Sequence, residues 1–264
     1  MRVLVVGDAG EDRFVYTNCQ RFSPEFPIPV LTPCSRSSNL GMAGNVAANI
    51  RSLAPEMDVV TLFPEKPSIK TRYVDHKTNH HFFRLDEDVV SEPLSGIDWL
   101  RSIKMCPDAV VISEYNKGFL TPGKMHMIAQ FCWANKIPLF ADSKNLLSDW
   151  SRKITFVKIN EVEFRAHLDK GLSPWMECQN LISTRGSSGM DLYAQDGSIS
   201  YHSPGVKVAV SDVAGAGDAC IAALVVKYLE NGGNIKTAMD YANKVGAVAV
   251  SKRGVVAVKR EEVV

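Results

Sequence analysis

The chain has 264 residues, 45% of them apolar, and its 30 basic side chains stand against 29 acidic ones for a formal charge of +1. That length supports one soluble globular domain, or at most two small ones, burying roughly three quarters of the surface its unfolded form exposes, so no metal or disulfide is needed to hold a core. The charge balance argues against nucleic acid as the main ligand, which demands a basic face able to neutralise several phosphates, and points to a small-molecule partner.

At the N-terminus, Asp8 interrupts the apolar run of MRVLVVGDAGED too early for a signal peptide, so a cytoplasmic protein is expected. Short runs rich in Val and Ile at 3–6, 59–63, 109–112, 138–141 and 154–159 read as strands buried on both faces, and stretches such as 123–135 are long enough for crossover helices. The alternation predicts an α/β fold with a mostly parallel sheet. Two segments break the rhythm. Residues 28–36 and 69–84 alternate and carry Thr, Tyr and Phe, predicting exposed strands that pair as a small second sheet. After Gly189 come strands with a turn at Asp196-Gly197, then helices over 215–231 and 235–251 separated by Gly232-Gly233. The longest apolar stretch, 219–226, falls far short of the roughly 18 residues of a membrane span. The six cysteines are scattered without a CxxC pair, which favours incidental thiols over a metal cage or disulfide framework.

Chemistry concentrates in Asp212-Val213-Ala214-Gly215-Ala216-Gly217-Asp218, just before that apolar run. Glycines opening a helix leave unpaired N–H groups and the positive end of the helix dipole accessible to an anion. An Asp in that first turn repels a bare phosphate unless it has a task, and Asp218 could take a proton from a substrate hydroxyl while the amides of Gly215, Ala216 and Gly217 hold a phosphoryl group. A plain helix cap with tight packing accounts for the same residues.

This stretch resembles the D-T-x-G-A-G-D signature of the ribokinase family of carbohydrate kinases, whose last Asp is the catalytic base. Gly41-Met42-Ala43-Gly44-Asn45 resembles the family's sugar-site Gly-Gly motif, Asn160-Glu161-Val162-Glu163 its N-x-x-E motif near magnesium and the phosphates, and Thr184-Arg185-Gly186-Ser187-Ser188-Gly189 its nucleotide-side turn. The resemblance implies a three-layer α/β/α ribokinase-like fold over residues 1–264, with lid strands around 13–38 and 68–86. It further implies ATP and Mg2+, with Asn160 and Glu163 reaching the metal through water, and leaves a monovalent cation open. Thr184, Arg185, Gly186, Gly189 and Asn243 would bind the nucleotide, and the lid would build a homodimer.

Within the family, GDAGEDRFVYTNCQRFSPEFPIPVL, KTRYVDHKTNHHFFRLDED, ISEYNKGFLT and ADSKN are most similar to the heptose 7-phosphate kinase branch, which phosphorylates the C1 hydroxyl. Asp8, Asp12, Gly41 and Asn45 would then line the sugar site, and Lys70, Arg72, Arg84, Lys117 and Lys144 are candidates to grip the 7-phosphate, since carboxylates accept from hydroxyls and cations bind phosphate. Simpler readings stand beside these: Asp8 opening a turn through Asp8-Ala9-Gly10, solvated cations, a satisfied Asn45, a capping box of Asn160 with Glu163, and a mere turn around Arg185.

Several positions depart from the pattern. Ala214 stands where the signature has a small hydroxyl residue, Met42 replaces the second glycine of the sugar-site pair, Glu114 replaces Asp, and Lys158-Ile159 stand where the branch has Thr-Pro. Between Leu53 and Ser68 the chain lacks about 25 residues that the family spends on a βα unit, and only a stub of helix remains between Lys170 and Asn180. Bifunctional members of the branch continue into a nucleotidyltransferase domain, whereas this sequence stops at Val264, so nucleotidyl transfer is expected to come from elsewhere. The competing functions are a non-catalytic sugar or nucleotide sensor of the same fold and a kinase of another phosphosugar or a nucleoside. A NAD-dependent oxidoreductase is disfavoured, because Gly7-Asp8-Ala9-Gly10 lacks the G-x-G-x-x-G spacing.

Overall fold

The computed structural model describes residues 1–104 and 106–263; Met105 and Val264, both inside the span read as one domain, lie outside the described residues. In chain order, β1 (Arg2–Gly7), β2 (Ala9–Phe22) and β3 (Pro29–Met42) lead into α1 (Ala43–Leu53), followed by β4 (Asp58–Leu62), β5 (Ser68–Asp75) and β6 (His81–Glu87). Then come α2 (Gly96–Ile103), β7 (Ala109–Glu114), α3 (Pro122–Ala134), β8 (Leu139–Ser143), β9 (Phe156–Asn160), α4 (Glu161–Leu168), β10 (Leu181–Thr184), β11 (Met190–Tyr193), β12 (Ile199–Ser203), α5 (Ala216–Glu230) and α6 (Ile235–Ser251).

Among the described residues the main sheet has eight strands in the order β12-β11-β10-β9-β8-β7-β1-β4. Pairings from β4 through β10 are parallel, and β11 and β12 add antiparallel at one edge. The strand period of two divides each buried run between two cores. Val3 and Val5 of β1 join the helices α1, α5 and α6 on one face, whereas Leu4 and Val6 join α2 and α3 on the other. Burial on both faces explains why these strands read as continuous apolar runs rather than as alternation. The helices begin on their own signals: Thr121 accepts from Lys124 N at the start of α3 with Pro122 as its first residue, and Asn234 caps α6.

The second sheet has the order β3-β2-β5-β6. Here the expected pairing needs correction, because the segments at 28–36 and 69–84 do not pair with each other. Both flank β2, which is antiparallel to β3 and parallel to β5. One residue, Asp8, separates β1 from β2, so the chain passes extended from one sheet into the other and no turn forms at Asp8-Ala9-Gly10. Charged and polar residues interrupt the alternation of β2, and the sequence pattern hides it. β4 closes the main sheet directly after α1, and Pro174–Met176 form only a single 3-10 turn before β10, which gives the short connections the sequence suggested at both places.

Candidate active site

The carboxyl ends of the parallel strands and the start of α5 converge, the place where open α/β sheets bind ligands. Gly215 precedes α5 with φ +77°, a left-handed conformation that glycine adopts without strain. A Cβ there would lie 2.8 Å from Asn45 Nδ2, so the close approach of α1 to α5 also requires glycine.

Asp218, in the first turn of α5, is buried. Its Oδ1 accepts from the Tyr115 hydroxyl at 2.6 Å and its Oδ2 from Asn45 Nδ2 at 3.0 Å. Burial pushes its pKa up to about 6, against these two hydrogen bonds, which favour the ionised form; Asp142 adds to the rise and Lys158 opposes it. Burial, and then the negative charge of Asp218, drive the Tyr115 phenol well above its ordinary value, so it stays a donor.

The start of α5 faces two cavities. The first, of about 130 Å3, is lined by Asp12, Gly41, Lys70, Arg72, Gly215 and Asp218, and is bounded by the small sheet. The second, of about 330 Å3, meets Ala216 and Gly217 and is otherwise mainly apolar, with Val206, Val208, Ala247 and Val250 in its wall. A polar cavity holding an acid and an apolar one adjoin across one helix N-terminus.

The expected residues distribute unevenly between them. In the first cavity Asp12 is paired with Arg72, and the Arg72 guanidinium lies 5.4 Å from the centre of the Phe14 ring. Lys70 has no carboxylate partner among the described residues. The other proposed phosphate ligands are engaged elsewhere. Arg84 lies opposite Arg72 on the outer strand β6, outside the cavity wall, and binds Asp86 at 2.7 Å. Lys117 binds Asp88 at 2.7 Å, and Lys144 pairs with Glu163 while sitting 5.4 Å over the Tyr115 ring. Asp8 is fully buried: its Oδ2 accepts from the amides of Tyr115 at 2.6 Å and Lys117 at 3.3 Å, and its Oδ1 has no partner. Asp8 therefore holds the 115–117 loop rather than lining the cavity. Asn45 is likewise spent within the protein, on Asp218 and Asn49.

On the other side, Thr184, Gly186, Gly189 and Asn243 line the apolar cavity. Arg185 does not; it turns to Asp191 at 2.9 Å. Asn160 and Glu163 form a reciprocal capping box at the start of α4, with bonds of 2.8 and 2.9 Å. Glu114, the replacement for Asp, accepts from Ser143 Oγ at 2.6 Å and Lys144 N at 3.0 Å and so ties β7 to the end of β8.

Tyr115 and Asp142 are site residues that sequence reasoning missed. Both lie in the strings ISEYNKGFLT and ADSKN, in which the lysines carry the charge that suggests phosphate binding. Nothing in a linear pattern marks which phenol reaches a carboxylate 103 positions away.

A parallel sheet with a small β-sheet beside it, and a glycine-opened helix start between two cavities, place the chain in the ribokinase-like fold class. Solved structures agree on the fold: ribokinase from Thermotoga maritima matches with a TM-score of 0.70 at 18% identity, covering 99% of this chain and 97% of that one. Phosphofructokinase-2 from Escherichia coli matches with a TM-score of 0.73 at 12% identity, covering 99% and 96%.

The sequence profile of the pfkB family carbohydrate kinases matches residues 124–261, and the chain belongs to that family of ATP-dependent sugar kinases. The Bifunctional protein HldE of Hyphomonas neptunium is 30% identical over 309 aligned positions, covering 99% of this chain and 62% of the relative. That of Campylobacter jejuni is 30% identical over 303 positions, covering 99% and 64%. The chain thus spans less than two thirds of the length of these relatives. In the first match the 309 aligned positions exceed the chain's 264 residues by 45, so the shared region is itself shorter here. Among the described residues no helix is long and apolar enough to cross a membrane.

Proposed function

We propose that the chain transfers the γ-phosphoryl group of ATP to a hydroxyl of a phosphorylated sugar, the C1 hydroxyl of a heptose 7-phosphate or a close analogue. The observation that carries this reading is the position of Asp218, a buried acid at the helix start between a polar and an apolar cavity. The apolar cavity suits adenine, with the phosphates running along Gly217 and Ala216 toward the α5 amides. The acceptor fits the polar cavity, with its hydroxyl at Asp218. Asp218, ionised above pH of about 6, takes the hydroxyl proton as the oxygen attacks phosphorus, and the helix amides stabilise charge on the equatorial oxygens. Lys70, the cation in this cavity without a carboxylate partner, suits the substrate phosphate, with Asp12 and Arg72 beside it.

The donor set fits magnesium held largely through water. Among the described residues no three His, Cys, Asp or Glu side chains converge on one point as a protein cage. Asn160 Oδ1 keeps a lone pair beyond its capping bond, the Glu163 carboxylate keeps lone pairs beyond its capping bond and its pair with Lys144, and magnesium retains several waters when bound. When bound, it supplies charge neutralisation on the phosphates. The small sheet would act as a lid that excludes water from the acceptor cavity. Its exposed Phe22, Phe83 and Leu85, with Phe26 and Ile28 of the connection between β2 and β3, suit a homodimer in which a second copy of the chain covers them.

The test is ATP-dependent phosphate transfer to a panel of phosphosugars, free sugars and nucleosides by the wild type and Asp218→Asn. Transfer to a phosphosugar is expected, with a loss on the order of a hundredfold or more in the variant. Tight binding without transfer by the wild type would establish a sensor instead, and a nucleoside as best acceptor would move the specificity.

A further inference from the structure

Lys158, which stands where the heptose 7-phosphate kinase branch has Thr, has unusual surroundings. It is the middle residue of β9, and its side chain is only 5% exposed. The ammonium pairs at 2.7 Å with Asp142 Oδ2 from the end of β8, itself 6% exposed. The Asp142 carboxylate beside it supports the charged ammonium in this buried setting.

A buried ion pair is a poor source of stability, since desolvation of both ions offsets their attraction and an apolar pair of similar volume does as well or better. Its location offers another reason for it. A Cβ on Gly217 would stand 3.3 Å from Lys158 Nζ, so the ammonium lies against the helix start, next to the amides assigned to the phosphoryl group. An ammonium has three N–H donors. Asp142 is the one hydrogen-bonding partner of Nζ among the described residues, which leaves donors unspent beside Gly217. Unsatisfied polar groups of this kind are costly in an apolar interior and are expected where a polar ligand completes them.

We propose that Lys158 is a catalytic residue whose ammonium donates hydrogen bonds to the non-bridging oxygens of the transferred phosphoryl group. This rests on the kinase reading above. In the transfer, the bond between the γ-phosphorus and the β,γ-bridging oxygen breaks with its electron pair leaving on ADP. The bond from phosphorus to the acceptor oxygen forms, and the acceptor proton goes to Asp218. Lys158 keeps its proton throughout. It supplies positive charge where three carboxylates, Asp142, Asp218 and Glu163, would otherwise oppose an anionic group, and Asp142 fixes its direction. A Thr at this position, as in the heptose 7-phosphate kinase branch, brings a hydroxyl but no charge.

The experiment is calorimetric binding of ADP and of the non-hydrolysable β,γ-imido analogue of ATP, at saturating magnesium. It uses the wild type, Lys158→Met and the double variant Asp142→Asn/Lys158→Met, which leaves no stranded carboxylate and serves if the single variant does not fold. A group on the γ-phosphoryl should be felt by the analogue alone. The expected result is a loss of about tenfold or more in analogue affinity, ADP affinity within about twofold, and kcat lower by on the order of a hundredfold at unchanged acceptor KM. A merely structural role would alter both nucleotides together. An unchanged ratio of analogue to ADP affinity in both variants overturns the role of Lys158 and leaves the kinase reading standing. Failure of the wild type to bind either nucleotide overturns both.

Discussion

The hydroxyl of Tyr115 donates a 2.6 Å hydrogen bond to Oδ1 of Asp218 from a loop that the buried Asp8 carboxylate holds through the amides of Tyr115 and Lys117. The phenol thus occupies one oxygen of the acid and Asn45 the other. This bond favours the carboxylate form, so its removal raises the Asp218 pKa. Hydrogen bonds to charged groups contribute about 1.5–3 kcal/mol, which corresponds to a shift of roughly one to two units. In Tyr115→Phe the acid limb of the kcat/KM profile should move from near pH 6 toward neutrality by about that much. A pH–rate series on wild type and variant reads it directly, and superimposable acid limbs would remove Tyr115 from the working base.

The same acid should cost stability. Its folded pKa of about 6 lies above the ordinary 3.8, so folding takes up a proton between these values and stability falls as pH rises through that window. Above pH 6 the penalty is complete and comes to about 3 kcal/mol as an order of magnitude. Asp218→Asn, neutral at every pH, should therefore melt higher than the wild type at pH 7.5 while losing activity. The difference should shrink as pH falls toward 4. Thermal melts at both pH values decide this; a variant less stable at pH 7.5 would show that its amide cannot satisfy Asn45 and Tyr115 together.

The main sheet was legible because burial on both faces writes itself as uninterrupted Val and Ile runs such as 109–112, and the α5 start because glycines before an apolar helix have few other uses. The order of the small sheet was not. β2 carries Glu11, Asp12, Arg13 and Gln20 in a strand that the pattern gives no reason to bury, and its placement between β3 and β5 is a tertiary choice. Among site residues, motifs pointed to Asp218 and the glycines but not to what holds them. Asn45 served as a sugar-site candidate in sequence, whereas folding brings it 3.0 Å from a carboxylate 173 residues away. Charge alone made Arg84, Lys117 and Lys144 look equivalent to Lys70. Each has a local acid in space, and such pairing depends on loop geometry that spacing does not encode.

That difference in pairing yields an acceptor prediction. Lys70→Ala should raise KM for a phosphosugar by about tenfold or more and leave the unphosphorylated sugar nearly unchanged. Arg84, 56% exposed on the outer strand and already bound to Asp86, should alter neither by more than about twofold when changed to Ala, since exposed ion pairs contribute at most about 1 kcal/mol. Steady-state kinetics with the two acceptors checks both. A larger phosphosugar defect in the Arg84 variant would mean that closure of the small sheet brings β6 into the site.

The apolar cavity makes a separate prediction. Ala247, on α6 and 8% exposed, forms part of its wall. Ala247→Phe places a ring in the space assigned to adenine, so KM for ATP and the dissociation constant of ADP should rise by about tenfold or more at unchanged acceptor KM. Unaltered ADP binding with a well-folded variant would place the base elsewhere.

Gly215 couples backbone conformation to the acid. An alanine at φ +77° incurs a left-handed penalty of about 1–2 kcal/mol, and its Cβ would stand 2.8 Å from Asn45 Nδ2. To relieve that contact Asn45 must move, and the hydrogen bond it gives Asp218 Oδ2 moves with it. Gly215→Ala should therefore lose activity by more than its stability loss explains, with its acid limb displaced upward as the carboxylate loses a donor. Melting temperature and pH profile measured on the same preparation separate the two effects. A variant that is destabilised but keeps the wild-type limb would show that the penalty is backbone strain alone and that Asn45 holds its place.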